Sequence, residues 1–318
     1  MAQRRYFKEL RMQQFRSLVQ TRRHGSFTAA ARELNLSRTS VWQQIRALEE
    51  DFGVELVVVV DHQPQLTGEG ELLVNMLSPL VDEFDTLKDN FLSKINRVEQ
   101  KLTVATTTSL LHYELDEPTA EFRKKCPEVS LSFIDRTSAA AAELLLQAKA
   151  DLAVIGSIKG LTDEASLEIV PLLQCPFVLA CRKNHPLAKK SKITVKELKD
   201  HPLIVPSVGT NGRMRIDSIL EHAGVSEKLH VVLQSYNSAV MLAYAEKNLG
   251  AALLSLSPRL MALHNKELVF KDLSSVFGSE DVVLVKRKAR FKSLQRPYVE
   301  EFANLVIKSI RSDRSLRQ

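Results

Sequence analysis

The chain has 318 residues, 44% hydrophobic and 26% charged, which excludes a collagen, a disulfide miniprotein or a wholly disordered chain and allows about two domains. The 44 Lys and Arg exceed the 38 Asp and Glu, for a net charge of +6. That surplus is concentrated in residues 1 to 46, where Arg4, Arg5, Lys8, Arg11, Arg16, Arg22, Arg23, Arg32, Arg38 and Arg46 face only Glu9 and Glu33. A basic segment on a nearly neutral body fits a polyanion-binding module joined to something else, and it fits a solubilising arm equally well.

Taken in chain order, Leu10, Met12, Phe15, Leu18 and Val19 stand at helical spacing among charged residues and predict an amphipathic helix over 10 to 23. Ser26 is placed to cap a second helix with Ala29, Ala30, Ala31 and Leu34 on its inner face, ending at Asn35-Leu36. Ser37 caps a third, whose buried stripe is Val41, Ile45 and Leu48. Arg38, Thr39, Ser40, Gln43 and Gln44 then face away from that stripe, and such side chains at the front of a helix suit the major groove. A helical hairpin whose polar face meets only water has the same pattern.

The block GSFTAAARELN, the serine-led helix ending QIRALEEDFGVEL, and the following LTGEGE resemble the N-terminal winged helix-turn-helix of LysR-type transcriptional regulators. The resemblance runs from about Leu10 to Glu71. It implies that Ser26, Thr28, Arg32, Arg38, Thr39, Ser40, Gln43, Gln44 and Arg46 contact double-stranded DNA. The sequence departs from the family pattern at Thr39, Trp42 and Gln43. It also departs in the wing, where Leu56-Val57-Val58-Val59-Val60-Asp61-His62-Gln63 replaces a segment normally rich in arginine. Fewer wing arginines imply fewer phosphate contacts and a flatter salt dependence. Trp42 has two readings, packing inside the domain or stacking on DNA.

From Thr67, a predicted N-cap, Leu73, Leu77, Leu80, Phe84, Leu87 and Phe91 step alternately by four and three, a heptad seam interrupted only by Pro79. That pattern predicts a linker helix pairing with a second copy of the chain, giving a homodimer and, in the resembled family, room for a homotetramer.

After residue 100 the pattern changes. KLTVAT, a helix over about 109 to 125, a strand over 129 to 134, a helix over 137 to 149 and DLAVIG alternate as βαβ units do. PFVLACR, PLIVPS, the helix after Gly212, LHVVLQ, SAVMLAYAEKN and AALLSL continue the series, and DVVLVKR with a helix over 294 to 310 ends it. The resemblance implies a two-lobed, periplasmic-binding-protein-like body. The expected architecture is therefore an all-α winged helix-turn-helix DNA-binding domain (1–66), a long linker helix (67–100) and a two-lobed α/β effector-binding domain (101–318). One lobe would hold about 101–170 and 280–310, the other about 171–279.

A small-molecule effector would sit between the lobes, touched by Thr106, Thr107, Thr108 and Ser109 after the first strand and by Ser207, Gly209, Thr210 and Asn211 after PLIVPS. Hydroxyls and helix N-termini there suit a small anion, a carboxylate or an amino-acid-like metabolite, with charge added by Arg213 or Arg215. The same residue types also serve as ordinary caps. Asp135 and Ser255 are lesser candidates.

No GxSxG, P-loop, HExxH or GxGxxG segment suggests an enzyme, and the eight histidines show no metal-like spacing, so neither catalysis, metal nor cofactor is expected. Cys126, Cys175 and Cys181 form no CxxC pair, and the early bases precede no apolar signal core, which reads as a cytoplasmic, reduced chain with no membrane partner. The run Lys286-Arg287-Lys288-Ala289-Arg290-Phe291-Lys292 reads as a solvated strand end near Glu280 and Asp281, or as a second nucleic-acid patch. The resemblance favours a transcriptional regulator. The alternative is a small-molecule binding protein of the periplasmic type carrying a basic helical arm.

Overall fold

The computed structural model describes residues 10–95, 99–158, 160–163, 166–224, 229–264, 266–288 and 296–312. The N-terminal module is built from α1 (Met12–His24), α2 (Phe27–Glu33), α3 (Arg38–Phe52), the strands β1 (Val57–Val60) and β2 (Gln63–Leu66), and the start of α4 (Gly68–Lys94). Ser26 and Ser37 cap α2 and α3 by accepting from Ala29 N and Ser40 N, as their spacing predicts. Val41, Ile45 and Leu48 of α3 are buried against Leu18, Val19, Ala30, Ala31 and Leu56. Val74, Leu77 and Val81 of α4 complete this core.

Glu49 ties α3 to the hairpin: its Oε1 accepts from Leu56 N at 2.8 Å and Val57 N at 3.0 Å. β1 and β2 pair with Val60 opposite Gln63, so Asp61 and His62, both at positive φ, form the two-residue turn that suits a twisted hairpin. Gly70 has a reason to be glycine. A Cβ there would lie 2.1 Å from Leu56 O, where the first turn of α4 crosses the end of the wing.

The body continues with β3 (Lys101–Thr106), α5 (Thr108–Tyr113), α6 (Asp116–Lys125), β4 (Ser130–Asp135), α7 (Ser138–Leu146), β5 (Leu152–Gly156) and the long β6 (Leu167–Arg182). Then follow β7 (Leu203–Pro206), α8 (Asn211–His222), β8 (Val231–Ser235), α9 (Ser238–Glu246), β9 (Ala251–Ser255), α10 (Pro258–His264), β10 (Leu268–Asp272), α11 (Ser274–Phe277), β11 (Ser279–Arg287) and α12 (Pro297–Ser312). The strands run β4-β3-β5-β11-β6-β9-β7-β8, with β10 also on β6. Two sheets thus share one strand. The first half of β6 pairs with β11 in lobe I, and its second half pairs with β9 and β10 in lobe II. Each sheet is buried on both faces, with one apolar cluster on either side, as parallel-rich sheets require.

Three expectations need correction. The helix over 109 to 125 is two helices, because Pro118 has no N–H for a continuous ladder and is tolerated in the first turn of a new helix starting at Asp116. The segment before PFVLACR belongs to the same strand, and the chain passes between lobes at Pro176–Phe177 instead of near residue 171. A bulge at Leu172, between the pairs Val282–Leu173 and Val283–Pro171, keeps the strand continuous. In the described part of the basic run, Lys286 and Arg287 are not turned to Glu280 and Asp281, while Lys288 is exposed. Lys286 bonds Glu300 at 2.6 Å, and Arg287 donates at 2.8 Å to Leu145 O and Ala150 O at the end of α7. Ala289 to Lys292, Leu294, Gln295, and the early bases Arg4, Arg5 and Lys8 lie outside the described residues.

Candidate functional site

On the N-terminal module, Thr28, Arg32, Arg38, Thr39 and Gln43 are exposed on α2 and α3. Trp42 joins them. It is 44% exposed, which removes the core-packing reading, and the Arg46 guanidinium lies 5.3 Å from its ring centroid. Other predicted contacts are engaged within the module. Ser26 is a cap, Ser40 bonds the Ser37 hydroxyl at 2.8 Å, and the half-buried Gln44 accepts from Ser17 on α1. Arg46 is held by Glu49 at 2.8 Å.

The basic surplus is also partly internal. Arg16, Arg22 and Arg23 pair with Asp85, Glu71 and Asp82 of α4. Arg11, Arg32 and Arg38 stand exposed. The wing offers valine in place of cation, with Val59 and Val60 at its exposed tip.

In the body, a cavity of about 390 Å³ opens between the lobes, beside the crossing strands β6 and β11. Its walls come from both sides. Thr107, Thr108 and Ser109 at α5 and Thr137 and Ser138 at α7 face Gly209, Thr210 and Asn211 at α8 and Ser238 at α9. Polar contacts bridge the gap: the Ser109 and Ser238 hydroxyls lie 2.5 Å apart, and Asn211 Nδ2 donates to Ser157 O at 3.0 Å. Asp135 and Ser255 also line the cavity, and Thr108 Oγ1 donates to Asp135 at 2.6 Å.

Four expected contributors are placed elsewhere. Thr106 is fully buried and donates to Val154 O within the sheet. Ser207 takes part in the turn, its carbonyl accepting from Thr210 Oγ1. Arg213 is turned toward Asp217 and Gln234, and Arg215 donates to Phe277 O.

The chain pattern did not place Glu114, Glu280 or Cys175 at the cavity. Glu280 follows a glycine-serine pair at a strand start and looks like a surface acid, yet it is half-buried on the cavity wall and bonded to Ser255. Burial pushes its carboxyl above the usual carboxylate range, against the opposing pull of Ser255 and Arg215. Cys175 is buried beside it, and desolvation, reinforced by Glu114, Glu280 and Asp281, pushes its thiol far up, leaving it unreactive as a thiolate. A signal for Glu114 existed in Pro118, which marks the helix break that places Glu114 at the end of α5.

Comparison with known proteins decides the family. Residues 12–71 match the bacterial regulatory helix-turn-helix protein, lysR family, and residues 96–310 match the LysR substrate binding domain. The chain belongs to the LysR family. It is a DNA-binding transcriptional regulator with an effector-binding body. It is similar to the HTH-type transcriptional regulator CysB of Burkholderia cenocepacia, at 27% identity over 77% of this chain and 78% of that one. It is also similar to the regulator Cbl of Escherichia coli, at 27% identity over 88% of this chain and 86% of that one.

Among solved structures, the cofactor-binding domain of the Cbl transcriptional regulator superposes with a TM-score of 0.55 at 27% identity, covering 70% of this chain and 95% of that domain. Full-length OxyR from Pseudomonas aeruginosa shares the fold, with a TM-score of 0.53 at 18% identity over 97% of this chain and all of that one. These relatives are regulators, and no enzyme family is indicated. Among the described residues no group of His, Cys, Asp or Glu is arranged to hold a metal ion, and no helix is long and apolar enough to cross a membrane.

Proposed function

We propose that this LysR-family regulator senses a small polar metabolite bearing a carboxylate or similar oxyanion in the interlobe cavity, and that occupancy alters how paired recognition helices engage duplex DNA in the bacterial cytoplasm. The observation that carries this reading is the cavity itself. Its walls belong to two lobes linked by crossing strands and by side-chain bridges, so a ligand touching both walls favours one lobe arrangement over another. A volume of about 390 Å³ lies within the roughly 300–1,000 Å³ typical of small-molecule sites.

Two copies would associate through α4, whose Phe84, Leu87 and Phe91 form an exposed apolar stripe, Phe84 with the Arg16 guanidinium 5.4 Å from its ring. A symmetric dimer presents two α3 helices to inverted half-sites. Arg38, Thr39, Trp42 and Gln43 supply the base-edge and sugar contacts, and Arg32 a phosphate contact.

The test is a mobility shift and footprint of the purified protein on DNA upstream of its own gene at low salt. A retarded complex protecting inverted half-sites is expected, and no shift would overturn the reading. Arg38→Ala is expected to narrow the gap between cognate and mutated sites by about 1–3 kcal/mol. Arg32→Ala should weaken every sequence alike. Equal loss on all sequences for Arg38→Ala removes that residue from the base readers.

A further inference from the structure

The recognition helix carries an aromatic side chain where its neighbours are polar. Trp42 lies one turn beyond Arg38 and next to Gln43, itself one turn beyond Thr39, and all four are exposed on α3 while Val41, Ile45 and Leu48 are buried. Exposure by itself assigns no role to an apolar side chain, but this one is held in place.

The Arg46 guanidinium lies 5.3 Å from the indole ring centroid, and the same guanidinium donates to Glu49 Oε2 at 2.8 Å. Glu49 is 8% exposed, and its other oxygen accepts from Leu56 N and Val57 N at the start of the wing. Ring, cation, carboxylate and wing backbone therefore form one continuous chain of contacts. An indole already held in this way loses little further rotamer freedom when it meets a partner.

That chain also sets what the corner can bind. The Arg46 charge is matched by Glu49 and, at 3.8 Å, by Glu55, so the corner presents apolar surface in place of a phosphate clamp. The wing beyond it ends in the exposed Val59 and Val60. In the major groove the base edges present hydrogen-bonding groups, and the apolar feature among them is the C5-methyl group of thymine. Arg38 and Gln43 have the polar groups to meet, and the indole has the methyl.

Resting on the groove-reading role of α3 proposed above, we infer that Trp42 is a specificity-determining residue that packs on the C5-methyl group of a thymine in each half-site, with Arg46 and Glu49 as the positioning residues that hold the ring. A contact of this kind releases no phosphate counterion and adds nothing to the salt dependence.

The test uses the full-length protein and the operator that its footprint defines, with each thymine in turn replaced by uracil in both half-sites. Uracil removes only the methyl group and keeps every hydrogen-bonding group. At one position it is expected to weaken wild-type binding by about tenfold, the scale of two buried methyl groups. Trp42→Ser should bind the thymine and uracil operators alike. Arg46→Ala should shrink the preference and Arg46→Lys should restore most of it, a pattern that a change in folding alone does not produce. Trp42 is the only tryptophan of the chain, so its emission at saturation should be quenched by the thymine operator and less by the uracil one. If every uracil operator binds within about twofold of the parent, or if the uracil effect persists in Trp42→Ser, the inference is overturned and groove reading by α3 stands. Emission that responds equally to both operators overturns it as well, and that measurement needs no variant. Failure to bind the parent operator removes both readings.

Discussion

Glu280 shows what a single residue's neighbours in sequence conceal. Next to Asp281 it reads as one of two surface acids, but the pleat sends them apart. Asp281 accepts from Gln174 at 2.8 Å on an exposed face, whereas Glu280 turns into the cavity beside Ser255, opposite Cys175 and within the influence of Arg215. Its carboxyl is raised in the folded state, so the stability it contributes is present below the unfolded carboxylate range and is lost as pH rises through the folded value. In the empty cleft at neutral pH it is therefore a liability. Glu280→Gln is expected to raise the melting temperature of the ligand-free protein at pH 7.5 by roughly 2–4 °C, and the difference should shrink as pH falls toward about 4.3. Scanning calorimetry across that range checks it. A lower melting temperature for the variant at pH 7.5 would mean that Ser255 and Arg215 outweigh the burial. Trp42 carries the same lesson in reverse. A lone tryptophan on an amphipathic helix reads most simply as core, and only the packing of Val41, Ile45 and Leu48 on the opposite side leaves it outward.

At the scale of elements, α4 is where periodicity stops short. The heptad spacing is real, but its first part closes the N-terminal core through Leu77, helped by Val74 and Val81, while Phe84, Leu87 and Phe91 emerge exposed, the last at 60%. A repeat reports that a face is apolar and says nothing of whether its partner lies in the same chain. The exposed half carries the expectation of a dimer. Replacing Leu87 and Phe91 together by Ser should shift sedimentation equilibrium from a dimer toward the monomer mass and weaken binding to a two-half-site operator by about tenfold or more, while leaving the melting temperature of the N-terminal module within a few degrees. An unchanged dimer mass would place the interface elsewhere. β6 illustrates the opposite error, an element longer than its pattern. Pro171 and Pro176 divide its apolar residues, so the sequence shows two pieces where pairing with β11 holds one strand through a bulge.

For the whole molecule, the boundary between modules lies in packing as much as in the order of segments. A chain starting at residue 99 retains both lobes and their clusters, and it is expected to keep the cleft ligand at wild-type affinity while losing DNA binding. A cut at residue 66, which the wing's end suggests, would bare Val74, Leu77 and Val81, each worth about 1.5–3 kcal/mol of burial, and should aggregate in size-exclusion chromatography. Charge redistributes in the same way. The eight-unit surplus in residues 1 to 46 is legible from composition, yet Arg16, Arg22, Arg23 and Arg46 meet acids of the folded module. Arg32 and Arg38 remain facing outward on α2 and α3, next to a wing of valines, and this deepens the expected flattening of the salt dependence.

The amino-acid sequence by itself determined the helix-turn-helix, its serine caps, the βαβ order of the body and the two loops that frame the cavity. Capping, periodicity and strand alternation are local rules that a few neighbouring residues satisfy. Only the tertiary structure decided which hydroxyls face the cavity and which arginines stay exposed. It alone brought Glu114, Cys175 and Glu280, more than 160 residues apart at the extremes, to the lining of one cavity. Burial and proximity between distant segments set those properties, and no window along the chain contains them.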